Sequence, residues 1–179
     1  MKSILLMSLL MILPQVSHAN SLLGPWRNCE RGTKGDIEYI VEFGKDGMEY
    51  EIFMMKGQSI LPCKGKDILV ISRYWKYETG ESAFNSTLLK TLVTLEDKDL
   101  VQIFNKKVNC GVSNWIPGRP IDCTNISFWG FYESKGFSIK HTFQVSEEKL
   151  IVKNSDGEVT KFKRLDFSFI DELKKVWPL

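Results

Sequence analysis

The stretch Leu22-Leu23-Gly24-Pro25-Trp26-Arg27-Asn28-Cys29 decides the fold of this chain. It places a tryptophan directly after a Gly-Pro turn and a cysteine three residues later. The segments that follow alternate polar and apolar residues at the period of two that is typical of β-strands. Because short antiparallel strands need a closing partner, we expect this stretch to begin a barrel and to close it.

The first 19 residues have the features of a secretory signal peptide. Lys2 supplies the positive charge, residues 4–13 form an apolar run, Pro14 breaks the run, and Ser17-His18-Ala19 is a small-x-small cleavage site. The run is shorter than the roughly 20 residues that a membrane span needs. We therefore expect cleavage near Ala19 and a secreted or periplasmic mature chain, residues 20–179, that forms one domain. No cysteine lies directly after the cleavage site, so a lipid anchor in a membrane is not expected.

The charge balance argues against polyanionic partners. The chain has 24 basic and 22 acidic side chains, and the two signs are interspersed along it. A protein that binds nucleic acid or an anionic membrane usually clusters its basic residues. We expect neither as the main partner.

Four cysteines, all located after the signal peptide, indicate disulfide bonds in an oxidising compartment. Three pairings are possible, and we favour Cys29–Cys63 and Cys110–Cys123 because each links positions plausibly adjacent in an up-and-down sheet. The alternative is a zinc site. Since no Cys-x-x-Cys occurs and the mature chain keeps one histidine, His141, we expect no metal and no cofactor.

The clearest hairpin lies early in the mature chain. Residues 36–43 and 48–54 alternate polar and apolar residues, and Gly44-Lys45-Asp46-Gly47 between them predicts the turn. Glu49 and Glu51 are predicted to face solvent. The opposite, apolar face is predicted to hold Ile37, Tyr39, Val41, Phe43, Met48, Tyr50, Ile52 and Met54.

Further strands follow, interrupted by one irregular region. Residues 68–77 are partly apolar on both faces, so the inner face is undecided. Residues 88–95 are predicted to pair with 100–104 across 96–99. Residues 105–136 lack periodicity, and Cys110–Cys123 would staple them. Alternation returns at 137–145, and the strands end near 158–165. The inward face of 137–145 is predicted to hold Phe137, Ile139, His141, Phe143 and Val145.

The last segment changes to a helical period. Ser168 is a candidate N-cap, Asp171 lies in the first turn, and Pro178 ends the pattern. We predict a short C-terminal helix against the outside of the sheet. About eight strands and one helix indicate an all-β fold, either a closed up-and-down antiparallel barrel or a sandwich.

Gly24-Pro25-Trp26 resembles the Gly-x-Trp signature of the lipocalins and the wider calycin superfamily. The resemblance implies a single up-and-down barrel whose tryptophan packs at the closed end against an arginine from the last strand. Arg164 stands where that arginine is expected, so Trp26 and Arg164 would be barrel-closing structural residues. The spacing of Cys29 and Cys63 is also similar to that of small secreted bacterial lipocalin-like proteins of undefined function.

No catalytic constellation is visible, because the mature chain keeps a single histidine and no serine lies in a nucleophile elbow. We therefore expect a protein that is not an enzyme, although catalysis stays the third alternative. The first is a barrel that binds a small hydrophobic molecule, and the candidate lining is Tyr39, Tyr50, His141 and Phe143. His141 could instead be an ordinary core histidine.

The second alternative is a module that binds or inhibits another secreted protein through residues 105–136. Asn85 and Asn125 begin glycosylation acceptor triplets, which matter only in a eukaryotic secretory pathway.

Overall fold

The structure is a computed structural model, and it describes residues 21–126 and 134–166. The signal peptide predicted for residues 1–19 and the C-terminal helix predicted for residues 168–178 lie outside the described residues. The strands are β1 (Gly24–Arg31), β2 (Asp36–Phe43), β3 (Met48–Lys56), β4 (Asp67–Thr79), β5 (Ala83–Leu95), β6 (Ile121–Asp122), β7 (Ser138–Val145), β8 (Lys149–Asn154) and β9 (Val159–Arg164); helix α1 (Lys98–Lys107) and a 3-10 turn (Asn109–Gly111) lie between β5 and β6.

Eight of these strands form a closed antiparallel barrel, as predicted. Each of β1 to β5 pairs with its neighbour in sequence, β5 pairs with β7, β7 to β9 continue, and β9 returns to β1. Trp26 lies opposite Arg164 at this closing seam, and the backbone N–H of Leu165 donates to the carbonyl of Pro25 at 3.0 Å. Strand β5 pairs with β7 over residues 83–87, and the short β6 pairs with β5 further along, at Leu92 and Val93. The stretch around Trp26 therefore closes the barrel.

The interior is apolar toward both ends of the barrel. Two groups of buried side chains form there. The first draws on strands around the barrel, and the second on β4, β5, helix α1 and the segment that follows the helix. At the end where β1 begins, the group is Leu22, Trp26, Val41, Phe43, Phe84, Phe143, Leu150 and Phe162. At the other end it is Leu69, Ile71, Val93, Leu95, Val101, Phe104, Cys110, Trp115 and Cys123.

Both predicted disulfides are confirmed. Cys29 on β1 is bonded to Cys63 in the β3–β4 loop, with their Cα atoms 6.1 Å apart. Cys110 is bonded to Cys123, with a Cα–Cα distance of 5.2 Å. The second bond joins the 3-10 turn after α1 to the residue after β6, and it therefore fastens the irregular segment against the barrel end.

The strand predicted at 100–104 is wrong, because this segment is part of helix α1. Asp97 is the N-cap, and its side chain accepts a hydrogen bond from the backbone N–H of Leu100 at 2.9 Å. The helix buries Val101 and Phe104, which are three residues apart, as one helical face requires. An acidic residue in the first turn and two lysines in the last also suit the helix dipole.

The inner face predicted for β3 is also wrong, and the turn before it explains the error. Phe43 pairs with Glu49, and the backbone N–H of Gly44 donates to the carbonyl of Met48 at 2.8 Å. The loop therefore has three residues, 45–47, and Gly47 takes the left-handed conformation (φ 75°) that such loops need. A four-residue turn would have paired Phe43 with Met48. The shift by one residue turns every side chain of β3 to the other face.

Candidate functional site

A cavity of about 230 Å³ lies inside the barrel and is walled by side chains from seven of its strands. The alternation of each strand brings these side chains inward together, because directly opposed residues of antiparallel strands share a face. The aromatic part of the wall includes Tyr39, Phe43, Trp75, Phe84 and Phe162, and the polar part includes Glu49, Glu51, Arg73, Ser86 and His141.

Glu51 is the centre of a buried polar network in this wall. Its Oε1 accepts from Tyr39 Oη and, at 3.1 Å, from Arg73 Nη1, while its Oε2 accepts from Trp75 Nε1 at 2.7 Å. Both Glu51 and Arg73 are buried, so their opposite charges compensate each other in a poorly solvated place. The network fixes two aromatic side chains of the wall. Glu51 thus has a structural role, with both of its oxygens already occupied.

Glu49 lies in the same wall but accepts fewer hydrogen bonds from the protein than Glu51 does. Its side chain is buried, and its Oε2 accepts a hydrogen bond from the hydroxyl of Ser86 on β5. Among the described residues, its Oε1 accepts no hydrogen bond. Burial raises the pKa of Glu49 to about 7, and the Ser86 hydrogen bond only partly opposes this rise. At neutral pH this carboxyl group is therefore close to half ionised.

His141 on β7 lines the cavity, and its ring stacks on that of Phe84 with centroids 4.7 Å apart. Its Nδ1 is buried and has no hydrogen-bond partner among the described residues. Burial lowers the pKa of His141 to about 4, so the imidazole is neutral at pH 7. His141 therefore contributes an uncharged aromatic ring to the cavity wall.

The candidate lining residues do not all meet in the cavity. Tyr39 and His141 line it. Phe143 is buried and its ring lies 5.9 Å from that of Phe84, within the apolar group around Trp26. Phe137, expected beside His141, precedes β7 and is exposed.

Tyr50 faces away from the cavity, so its predicted place in the lining is corrected. It is buried on the opposite face of β3, where it packs edge-to-face against Tyr74 at 5.6 Å. The apolar alternation of 48–54 therefore does mark a buried face, but that face is the outer one. The inward positions belong to Glu49 and Glu51.

The site residues that the sequence did not reveal are Glu49, Glu51, Arg73, Trp75 and Ser86. Two signals could have found part of this set. A glycine that follows Asp46 suits the left-handed end of a three-residue loop, and counting that loop puts the glutamates inside. With the glutamates of β3 facing inward, the register of β3 and β4 places Glu51 directly opposite Arg73.

Trp26 and Arg164 lie together at the closed end, in the arrangement that the Gly-x-Trp resemblance implies. The Trp26 ring is fully buried, and Arg164 Cζ lies 4.1 Å from its centroid. The guanidinium also donates to the carbonyls of Ser21, Leu23 and Glu147 at 2.8–3.0 Å. Arg164 thus ties the segment before β1 to the β7–β8 turn over the end of the barrel.

Within residues 21–126 and 134–166, no three His, Cys, Asp or Glu side chains are grouped so that they could hold a metal ion. No helix there has both the length and the apolar character needed to cross a membrane. The two disulfides indicate an oxidising environment, such as the extracellular space or a periplasm.

Comparison of the chain with protein-family models gave no match. Comparison with curated proteins also gave none.

Proposed function

We propose that this protein is a secreted or periplasmic, lipocalin-like barrel that binds one small, largely hydrophobic molecule in its interior. The signal peptide, with cleavage near Ala19, and the Gly-x-Trp resemblance are parts of this proposal. The observation that carries it is the cavity of about 230 Å³ with five aromatic side chains in its wall. Ligand sites of proteins are concave, mostly apolar and equipped with a few polar groups. The activity proposed is binding, not catalysis.

The size of the cavity limits the ligand. An engineered cavity of about 150 Å³ holds one benzene molecule, and drug-sized ligands occupy roughly 300–1,000 Å³. The volume here, about 230 Å³, lies between these values. The ligand would therefore be compact, such as a single ring with a short side chain.

Native mass spectrometry of the secreted protein, purified without denaturant, tests this function. We expect an added mass that is lost when Val152, whose side chain lines the cavity, is changed to Phe. The matched control is Lys153→Phe, since Lys153 is the next residue of β8 and is exposed. If the protein carries no added mass and Val152→Phe does not alter the binding of any added small molecule, the proposal is contradicted.

A second candidate function is binding or inhibition of another secreted protein through residues 105–136. The described part of this segment, 105–126, supports it in one respect. Ile116 is half exposed on a turn closed by the Arg119 N–H and the Ile116 carbonyl, and the neighbouring Trp115 is buried in the barrel end. An apolar side chain on a firmly anchored turn suits a partner's pocket. Capture of a secreted partner that is lost in Ile116→Asp, but kept in Val152→Phe, would favour this function.

A further inference from the structure

We propose that the cavity selects a compact cationic molecule, a small amine with an aromatic or aliphatic body, and that Glu49 is its counter-ion. This inference rests on the proposed function and specifies the chemistry of the ligand. It starts from a difference between the two buried glutamates. Glu51 uses both of its oxygens within the protein, whereas Glu49 accepts a single hydrogen bond, from Ser86, among the described residues.

The charges in the wall favour a cation. Glu51 and Arg73 form an ion pair with 3.1 Å between Oε1 and Nη1, and this pair contributes no net charge. Glu49 then adds one negative charge when it is ionised, and Glu158 adds another at the exposed β8–β9 turn. His141 is neutral above its lowered pKa of about 4 and supplies no competing positive charge. An anionic ligand would meet repulsion from the ionised Glu49, whereas a cationic ligand would supply the charged partner that this carboxylate lacks among the described residues.

The aromatic rings of the cavity wall also favour a cationic ligand. A cation near the face of Trp, Tyr or Phe is attracted by the ring quadrupole, most strongly where water is excluded. Tyr39, Trp75 and Phe84 line the cavity together with Glu49. An ammonium group on a ring-sized body would find a carboxylate and aromatic faces in one small volume.

Ionisation of Glu49 then becomes coupled to binding. Other ionisable groups also face this carboxyl: Tyr39 from β2, Glu51 from β3, Arg73 and Tyr77 from β4, His141 from β7 and Glu158 from the β8–β9 turn. Of these, Tyr77 has its pKa raised to about 12 by burial, and His141 titrates near 4, so neither changes charge near pH 7. A bound ammonium would lower the pKa of Glu49 by favouring its charged form. Amine affinity should therefore rise as the pH increases through 7.

Isothermal titration calorimetry with two matched probes tests the inference. The probes are 2-phenylethylamine and 2-phenylethanol, which share the body and differ in the ammonium or hydroxyl group. At pH 8 we expect the native protein to bind the amine at least tenfold more tightly than the alcohol. Between pH 8 and pH 5.5 the amine affinity should fall at least tenfold while the alcohol affinity changes less than twofold.

Glu49→Gln keeps the shape of the side chain and removes its charge. We expect this variant to lose the preference for the amine and its pH dependence, with alcohol binding within twofold of the native protein. The control is Glu81→Gln, which removes a carboxylate from an exposed position outside the cavity and should keep the preference. If Glu49→Gln does not fold, Ser86→Ala serves instead. Loss of its hydrogen bond raises the Glu49 pKa further, so the pH midpoint of amine binding should move upward.

The outcomes separate the inference from the proposed function. Equal binding of both probes, or an amine preference that survives in Glu49→Gln, would overturn the inference and leave a small-molecule barrel. A failure of the amine to bind at pH 8 would overturn the inference as well. The proposed function would then depend only on the added mass in native mass spectrometry and its loss in Val152→Phe.

Discussion

Two residues of the cavity, the buried Glu49 and the half-buried His141, have pKa values shifted in opposite directions by the same cause, desolvation. Removal from water penalises the charged form of each group. It raises the pKa of Glu49 to about 7 and lowers that of His141 to about 4. Each group is therefore neutral over a pH range in which it would be charged in the unfolded chain. These shifts couple the stability of the fold to pH with opposite signs.

Glu49→Gln should stabilise the protein above neutral pH. Between pH 4.5 and about 7 the folded protein keeps a proton on Glu49 that the unfolded chain has released. The free energy of unfolding therefore decreases as the pH rises through this window. Since glutamine carries no charge, the variant should gain up to about 3 kcal/mol over the native protein at pH 8 and nothing at pH 4. Urea unfolding at both pH values measures this, with Glu158→Gln as the control.

His141→Phe should show the opposite dependence. Between pH 6.5 and about 4 the unfolded chain protonates His141 and the folded protein does not, so folding loses stability as the pH falls through this window. Phenylalanine retains the stacking on Phe84 and cannot take up a proton. The variant should therefore exceed the native protein in urea midpoint at pH 4.5 by more than at pH 7.5. A pH dependence of the same sign in both variants would contradict the burial of these two groups.

At the scale of elements, helix α1 depends on a single capping side chain. The Asp97 carboxylate accepts from the Leu100 N–H at the start of the helix, and Phe104 on the helix is fully buried in the barrel end. Asp97→Ala should lower the free energy of unfolding by about 1 kcal/mol, the usual cost of a lost N-cap. Asp97→Asn can still accept this hydrogen bond and should lose much less. Equal losses in thermal unfolding would show that the cap contributes nothing.

The two disulfides also act at the scale of elements. We expect the disulfide that closes the longer loop to contribute more to the free energy of unfolding. Cys29–Cys63 spans 34 residues and Cys110–Cys123 spans 13. On the loop-closure model, replacing both cysteines of a pair by serine should cost about 4 kcal/mol for the first bond and about 3 kcal/mol for the second. Urea unfolding of the two double variants, beside the fully reduced native protein, gives the comparison. A larger loss for the short loop would mean that native contacts of the serines, and not chain entropy, decide the effect.

At the scale of the whole molecule, closure of the barrel depends on the contact between its first and last strands. Trp26 is fully buried at this seam, and Arg164 covers its ring and binds three carbonyls. Trp26→Ala should cost about 3 to 5 kcal/mol, a large part of the roughly 5 to 15 kcal/mol that stabilises a typical domain.

Arg164→Lys should cost less than Trp26→Ala but more than a surface change, because lysine keeps the charge and loses the flat, forked guanidinium. Thermal or urea unfolding measures both variants, and Lys140→Ala on the exposed face of β7 is the surface control. If Arg164→Lys matched this control and Trp26→Ala barely lowered the midpoint, the seam would not depend on this pair.

Local patterns in the sequence were sufficient for most of the strands, the closing stretch and both disulfides. Alternation of period two survives in any sheet, and an even number of cysteines after a signal peptide predicts bonded pairs. The same kind of signal was available for α1, since Val101 and Phe104 are three residues apart behind a capping Asp97. The short apolar run 100–104 nevertheless fits a strand equally well, and only its packing against the barrel end distinguishes the two.

The sequence by itself thus determined that the chain forms a disulfide-linked, up-and-down barrel closed near Trp26. Tertiary structure decided which face of β3 lines the interior, and with it the chemistry of the site. A three-residue loop in place of a four-residue one moves Tyr50 outside and brings Glu49 and Glu51 inside, because a slip by one residue exchanges the two faces of a strand. The pKa shifts of Glu49 and His141 likewise exist only in the closed barrel, because they arise from the removal of water by residues distant in the chain.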